Sequence, residues 1–205
     1  MSQDFFQIIQ DINPEDIEMK LALECAPLLS GLRSANLINI SKKQFKRLRS
    51  ILNNTDISYY ILFNGNEKFT VLLYRYDVLV NYLSQTVTRT LLNKMGYPSA
   101  NLYELLYLFS IRYKGFVYGK GEFPHEMGVF LGYPIEDVIG FIENDGKNFL
   151  CTGYWKVYED LPAKTKLFKR FEQVKEIMVT MISYGFNIVE IVELINQKRN
   201  IEAIA

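Results

Sequence analysis

The sequence predicts an α+β domain: a small, mainly antiparallel sheet of three or four strands covered by about eight helices. Three observations carry this expectation. Residues 57–63 and 69–74 are rich in aliphatic and aromatic side chains and flank Asn64-Gly65-Asn66, a strong signal for a hairpin over 57–74. Most other segments repeat apolar residues at helical spacing, punctuated by proline, glycine and capping residues. Long helical excursions join the strands, rather than a regular alternation of strand and helix. A parallel three-layer α/β fold is the alternative.

The 205 residues are 49% hydrophobic, which supports a sizeable core and one domain over 1–205. Lysine plus arginine equals aspartate plus glutamate at 23 each, so the chain is a poor candidate for non-specific nucleic-acid binding, which rests on neutralising phosphates. Residues 1–12 carry two aspartates and no basic residue, unlike a secretory signal. No apolar run approaches the roughly 20 residues of a membrane span. The cytoplasm is the expected compartment and no membrane partner is expected. The two cysteines, Cys25 and Cys151, form no C-x-x-C unit and are expected to be reduced there.

Residues 2–12 are expected to form a short helix, broken at Asn13-Pro14. A second helix starts at Pro14-Glu15-Asp16 and reaches Cys25 or Leu29, with Pro27 bending or ending it. Cys25 falls on one of its apolar lines and reads as a buried small hydrophobe. Residues 35–40 read as a short strand. Ser41 caps a basic helix over 42–52, whose Lys42, Lys43, Lys46, Arg47 and Arg49 offer an anion a surface, although such clusters are commonly a solvated face. Helices follow over 77–83 and 86–95, joined or kinked near Ser84. Asn101-x-x-Glu104 has the form of a capping box and opens a helix through Arg112. Residues 114–122 read as a polar, glycine-bearing loop. Asp160 and Pro162 start a long helix to about Tyr184, Gly185 stops it, and Asn187 caps a last helix over 188–198.

What is distinctive gathers in residues 122–158, which hold the only histidine, the only tryptophan and one of the two cysteines. Pro124 suits a first helical position, and Glu126 then falls in the first turn, where the helix dipole favours a carboxylate. Met127, Phe130 and Leu131 continue a helix of about two turns that Gly132 stops. Pro134 restarts the pattern, with Glu136 and Asp137 in the new first turn and Ile135, Val138, Ile139 and Ile142 on one stripe. Residues 149–158 read as one aromatic strand, with Cys151 and Trp155 on one face and Tyr154 on the other. Gly128 and Gly140 inside the two helices each cost up to about 1 kcal/mol relative to alanine. That cost points to a close approach, of packed elements in the plain reading or of a ligand.

Phe123-Pro124-His125-Glu126, Gly128, Phe130 to Pro134, Glu136-Asp137-Val138, Gly140-Phe141-Ile142 and Cys151 with Gly153 to Tyr158 form a dense motif. It resembles the signature of an uncharacterised bacterial family of unknown function, seen mostly in anaerobic Gram-positive bacteria. Weaker likeness at Cys25-Ala26-Pro27, Leu73-Tyr74-Arg75 and Gly96-Tyr97-Pro98 extends it over most of the chain. The resemblance implies no activity, substrate or cofactor. Members often carry further cysteines, one in the late helix where Val174 stands here, a departure that weakens a cysteine-rich metal site.

No P-loop, dinucleotide-binding glycine pattern or nucleophile elbow is present. Cys25, Cys151, His125 and Glu126 or Glu122 could supply a metal set only by arithmetic, since their spacing matches no ligand pattern. His125 and Cys151 could pair as base and nucleophile, with Glu126 beside them; the plain alternative is a structural hydrogen bond for one and packing for the other. Trp155, Tyr154, Tyr133 and Tyr158 could stack on a flat ligand or simply anchor a core. The reading that follows is a cytoplasmic ligand- or partner-binding accessory or regulatory module centred on residues 122–158. Its partner is a small molecule or protein of unknown identity. The alternative is a Cys/His-dependent enzyme or a metal- or cofactor-binding redox protein.

Overall fold

The computed structural model describes Asn13 and residues 15–204, with side chains through Lys198. The helix expected over 2–12, and Pro14, lie outside the described residues. The architecture is α+β. A three-stranded antiparallel sheet is built from β1 (Ala35–Ser41), β2 (Ile57–Asn64) and β3 (Lys68–Arg75), in the order β1–β3–β2. Nine helices are found among the described residues: α1 (Ile17–Leu29), α2 (Lys42–Leu52), α3 (Tyr76–Ser84), α4 (Thr86–Lys94), α5 (Leu102–Val117), α6 (Met127–Phe130), α7 (Ile135–Glu143), α8 (Leu161–Ser183) and α9 (Ile188–Ile204). A two-stranded ribbon, β4 (Cys151–Thr152) and β5 (Lys156–Val157), lies apart from the sheet.

The hairpin pairs Ile57 with Arg75 through Ile61 with Val71, then shifts register by one residue before Phe63 pairs Thr70. β1 adds on the other side of β3 in unbroken antiparallel register, from Ala35–Tyr74 to Ser41–Lys68. β3 is central and is buried from Thr70 to Arg75, so successive side chains feed two different cores. Val71 and Leu73 pack with Ile38 and Ile40 against α1, α2, α8 and α9. Leu72 and Tyr74 pack with Leu62 against residues of α3 to α7, including Leu79, Leu92, Phe109 and Phe130. Helices therefore cover both faces of an antiparallel sheet, not a parallel one.

Two local expectations are corrected, and the end of α1 is settled at the longer of its two expected limits. Helix α1 runs through Pro27 to Leu29. The proline forfeits one hydrogen bond near the helix end, and Arg75 satisfies the last carbonyls: it donates from Nε to Leu28 O at 3.0 Å and from Nη2 to Leu29 O at 2.8 Å, and pairs with Asp56. Helix α5 continues through the supposed loop at 114–117 and stops at Gly119, whose φ of +67° supplies the left-handed residue that closes the end. Residues 149–158 form a tight ribbon rather than one strand, because the chain reverses at Gly153, whose N–H bonds Trp155 O at 3.0 Å. A Cβ on Gly153 would come within 2.4 Å of the Phe168 ring. Both caps form, but the box is at the other one: Ser41, read as a simple cap, makes a full capping box with Gln44, whereas Asn101 accepts from the N–H groups of Tyr103 and Glu104 and its own N–H goes to Ser99 Oγ rather than to Glu104.

Arg75 is 5% exposed and is the donor for two carbonyls at the end of α1. Arg75→Ala should lower unfolding free energy by about 2–4 kcal/mol, the cost of orphaning buried acceptors and their donor's charge partner. Urea unfolding checks this; a loss under about 0.5 kcal/mol would mean that water replaces the guanidinium.

Candidate functional site

The site begins with Asp137. Pro134 opens α7, and Glu136 and Asp137 occupy its first turn, as the dipole favours. Asp137 also turns inward and is 2% exposed. Its carboxylate accepts the Trp155 indole N–H at 2.7 Å, the Tyr158 N–H at 2.7 Å and the Glu159 N–H at 3.2 Å. Lys164 Nζ lies 3.9 Å away and donates to Glu136 at 2.5 Å. One carboxylate thus ties α7 to the ribbon and to the start of α8. Gly140, one turn on, allows this approach: a Cβ there would lie 2.5 Å from the Tyr158 ring.

Trp155, held at its nitrogen, stacks on Tyr133 with ring centroids 5.0 Å apart and meets Phe168 edge-on at 4.7 Å. Tyr133 belongs to two hydrophobic clusters, the one under the sheet and the one formed by Trp155, Val157 and Phe171. Its carbonyl accepts the Tyr82 hydroxyl at 2.5 Å, and the Arg33 guanidinium lies 4.8 Å from its ring centroid. Arg33 is buried; burial pulls its pKa below the usual guanidinium value.

Between α6, α7 and the ribbon lies a pocket of about 220 Å³. Leu131, Val138 and Trp155 form its buried end, while Phe123, His125 and Phe141 form its more open side with Lys156. His125 touches Phe123 edge-on at 5.5 Å and Phe141 at 5.7 Å. Glu126 faces the other way. It is 2% exposed, accepts the Tyr97 hydroxyl at 2.6 Å, and receives Arg112 Nη1 at 3.2 Å. Arg112 also donates to Met95 O at 2.6 Å and lies over the Tyr97 ring. Glu126 therefore locks the turn to α5, and that lock fixes where His125 emerges.

The structure brings His125, Tyr133 and Trp155 to one pocket. Glu126, Cys151 and Tyr154 do not line it. Cys151 pairs with Val157 in the ribbon and packs on the Trp155 cluster. Tyr154 donates its hydroxyl to Glu172 at 2.7 Å and packs on Phe171. Cys25 is fully buried, accepts a hydrogen bond from Asn36 Nδ2 at 3.2 Å, and burial pushes its thiol up to about 12. Among the described residues no three of His, Cys, Asp and Glu converge to hold a metal ion. On α2, Arg47 is paired with Glu18 at 2.5 Å, and Lys42 lies over the Phe69 ring.

Residues 21–192 match a family described as protein of unknown function, DUF3793. The chain belongs to this family. No curated protein and no solved structure matches it. The DUF3793 match spans the whole sheet and every residue of the pocket. In this DUF3793 protein two contributors escaped sequence reasoning. Asp137 was placed in the first turn of its helix and Lys156 in the motif from Gly153 to Tyr158, neither as a residue of the pocket. The available signal was a spacing: an acidic first-turn residue followed by a lone tryptophan 18 positions later, with a turn between.

Two outcomes test this geometry. Asp137→Asn puts an amide N–H against N–H donors, so it should cost about 2–4 kcal/mol and shift the emission of the only tryptophan to longer wavelength; unchanged emission would show that the indole is held by packing alone. Cys25, Tyr82, Tyr97 and Tyr154 all have pKa values raised, by burial first. Groups with raised values stabilise the fold below their unfolded pKa and lose that contribution as pH climbs through the folded one. Urea midpoints should therefore hold up to the ordinary cysteine value of 9.0 and fall between there and about 12, and a thiol reagent should leave Cys25 untouched until the chain unfolds.

Proposed function

We propose that this protein is a cytoplasmic small-molecule-binding module, accessory or regulatory in role, whose ligand sits in the pocket between α6, α7 and the β4–β5 ribbon. The observation that carries the reading is the wall itself. Trp155 and Tyr133 are stacked and held from behind, and Phe141 and Phe123 flank the open side. A concave, mostly apolar surface with a few polar groups at its edge is the usual form of a ligand site. A cavity of about 150 Å³ accommodates benzene. At about 220 Å³ this pocket suits one substituted ring or a fused pair.

Binding is favoured over catalysis by two features. The pocket's one carboxylate, Asp137, already accepts from three donors. Cys151 stands outside the lining that holds the imidazole. The two cysteines are free, as thiols of a reducing compartment are. Equal numbers of acidic and basic residues, and the engagement of Arg47 by Glu18, favour a small molecule over nucleic acid.

Trp155 is the only tryptophan, so its fluorescence reports on the pocket directly. A panel of one- and two-ring aromatic compounds should produce saturable changes in emission, and Phe141→Ala should weaken the tightest of them by roughly tenfold through loss of a stacking face. A panel with no saturable response up to millimolar concentrations would overturn the proposal.

A further inference from the structure

We infer that the ligand class is an aromatic carboxylate, with its ring against the Trp155–Tyr133 wall and its carboxylate at Lys156 and His125. This inference rests on the pocket reading above and adds the charge of the ligand.

Lys156 is the first ground. Its ammonium donates to Gly146 O at 2.6 Å and lies 4.8 Å from the Phe149 ring centroid and 5.6 Å from that of Phe141. Among the described residues it makes no ion pair with a carboxylate. An ammonium has three donors, so two remain for a ligand. His125 is the second ground. Its imidazole lines the same pocket, and among the described residues it makes no side-chain hydrogen bond. Two nitrogen groups without acidic partners thus border one apolar cavity.

The surrounding charge points the same way. Asp137 is the only acid in the lining, and its oxygens are taken by three N–H donors with Lys164 3.9 Å away. Behind Tyr133 lies Arg33, buried and hydrogen-bonded to Leu131 O and Asn36 rather than to a carboxylate. A cationic ligand, the other guest that aromatic walls attract, would enter against Lys156, which already covers the faces of Phe141 and Phe149. A neutral ring would leave both nitrogen groups to water. A carboxylate accepts from an ammonium and from an imidazole N–H alike, and a hydrogen bond with an ionised partner is about twice as strong as a neutral one.

Isothermal titration with three matched sets tests this: benzoate and indole-3-carboxylate, their carboxamides, and benzylamine with its indole counterpart. The carboxylates should bind roughly tenfold or more tighter than the carboxamides, with the amines weakest. Added salt should weaken the carboxylates and leave the carboxamides unmoved. Lys156→Met should bring the carboxylate-to-carboxamide ratio near one, and Lys156→Arg should keep it. Should carboxamides bind as tightly as carboxylates to the unaltered protein, with no salt effect, the ligand's charge is wrongly assigned while the pocket reading stands. If none of the three sets binds, the pocket reading fails and this inference falls with it.

Discussion

The local architecture of the site depends on the buried carboxylate of Asp137. Three segments with little else to order them meet at its two oxygens: the first turn of α7, the short ribbon at Trp155, and the backbone entering α8 at Tyr158 and Glu159. A ribbon of two residues per strand has too few hydrogen bonds to stand alone. Fixing the indole nitrogen from below sets the plane of Trp155, and Tyr133 stacks on that plane. The charge is tolerable at 2% exposure because both oxygens accept from N–H donors and Lys164 lies 3.9 Å away.

A second lock works from the opposite side. His125 and Glu126 are adjacent, yet one is exposed and the other buried, since a helical turn sends neighbours about 100° apart. The Tyr97–Glu126–Arg112 cluster draws the segment against α5 and the Met95 carbonyl. The two locks act on opposite walls of the pocket, and the stacking of Phe109 on Phe130 joins the first wall to the sheet core. The cavity is therefore bordered by elements that the chain's own contacts hold in place.

Much of the fold was readable because it is written in local chemistry. The hairpin at Asn64-Gly65-Asn66, the Ser41 and Asn101 caps and the stop at Gly185 each act within a few residues, and each stands where it was read. The misses were a helix that runs on past Arg112 to Val117 and a strand that folds back at Gly153. Pro27 was expected to bend or end α1, which reaches Leu29, and Arg75, nearly fifty residues on, donates to the Leu28 and Leu29 carbonyls at its end. The site was readable only in outline. Its segment, 122–158, stood out by composition, and His125, Tyr133 and Trp155 do meet. That Glu126 would leave the pocket and Lys156 border it is a matter of facing, decided by Tyr97, Arg112 and the turn at Gly153.

The arrangement of charge around the pocket differs from that in the rest of the molecule. Three cations are buried among the described residues: Arg33, Arg75 and Lys164. Arg75 has Asp56 and Lys164 has Glu136, which is the usual way to keep a charge out of water. Arg33 has the Leu131 carbonyl, the Asn36 amide oxygen and Tyr133, none of them a carboxylate, and it lies behind the Tyr133 wall of the pocket. Lys156, partly buried between two phenylalanine rings, likewise lacks a carboxylate. A fold selected for stability alone would place an acid near them, and local rules are broken most often where a site has work to do. Lys156 borders the cavity and Arg33 lies behind its Tyr133 wall, so neither cation near the pocket has a carboxylate partner among the described residues, and that is the ground for an anionic ligand.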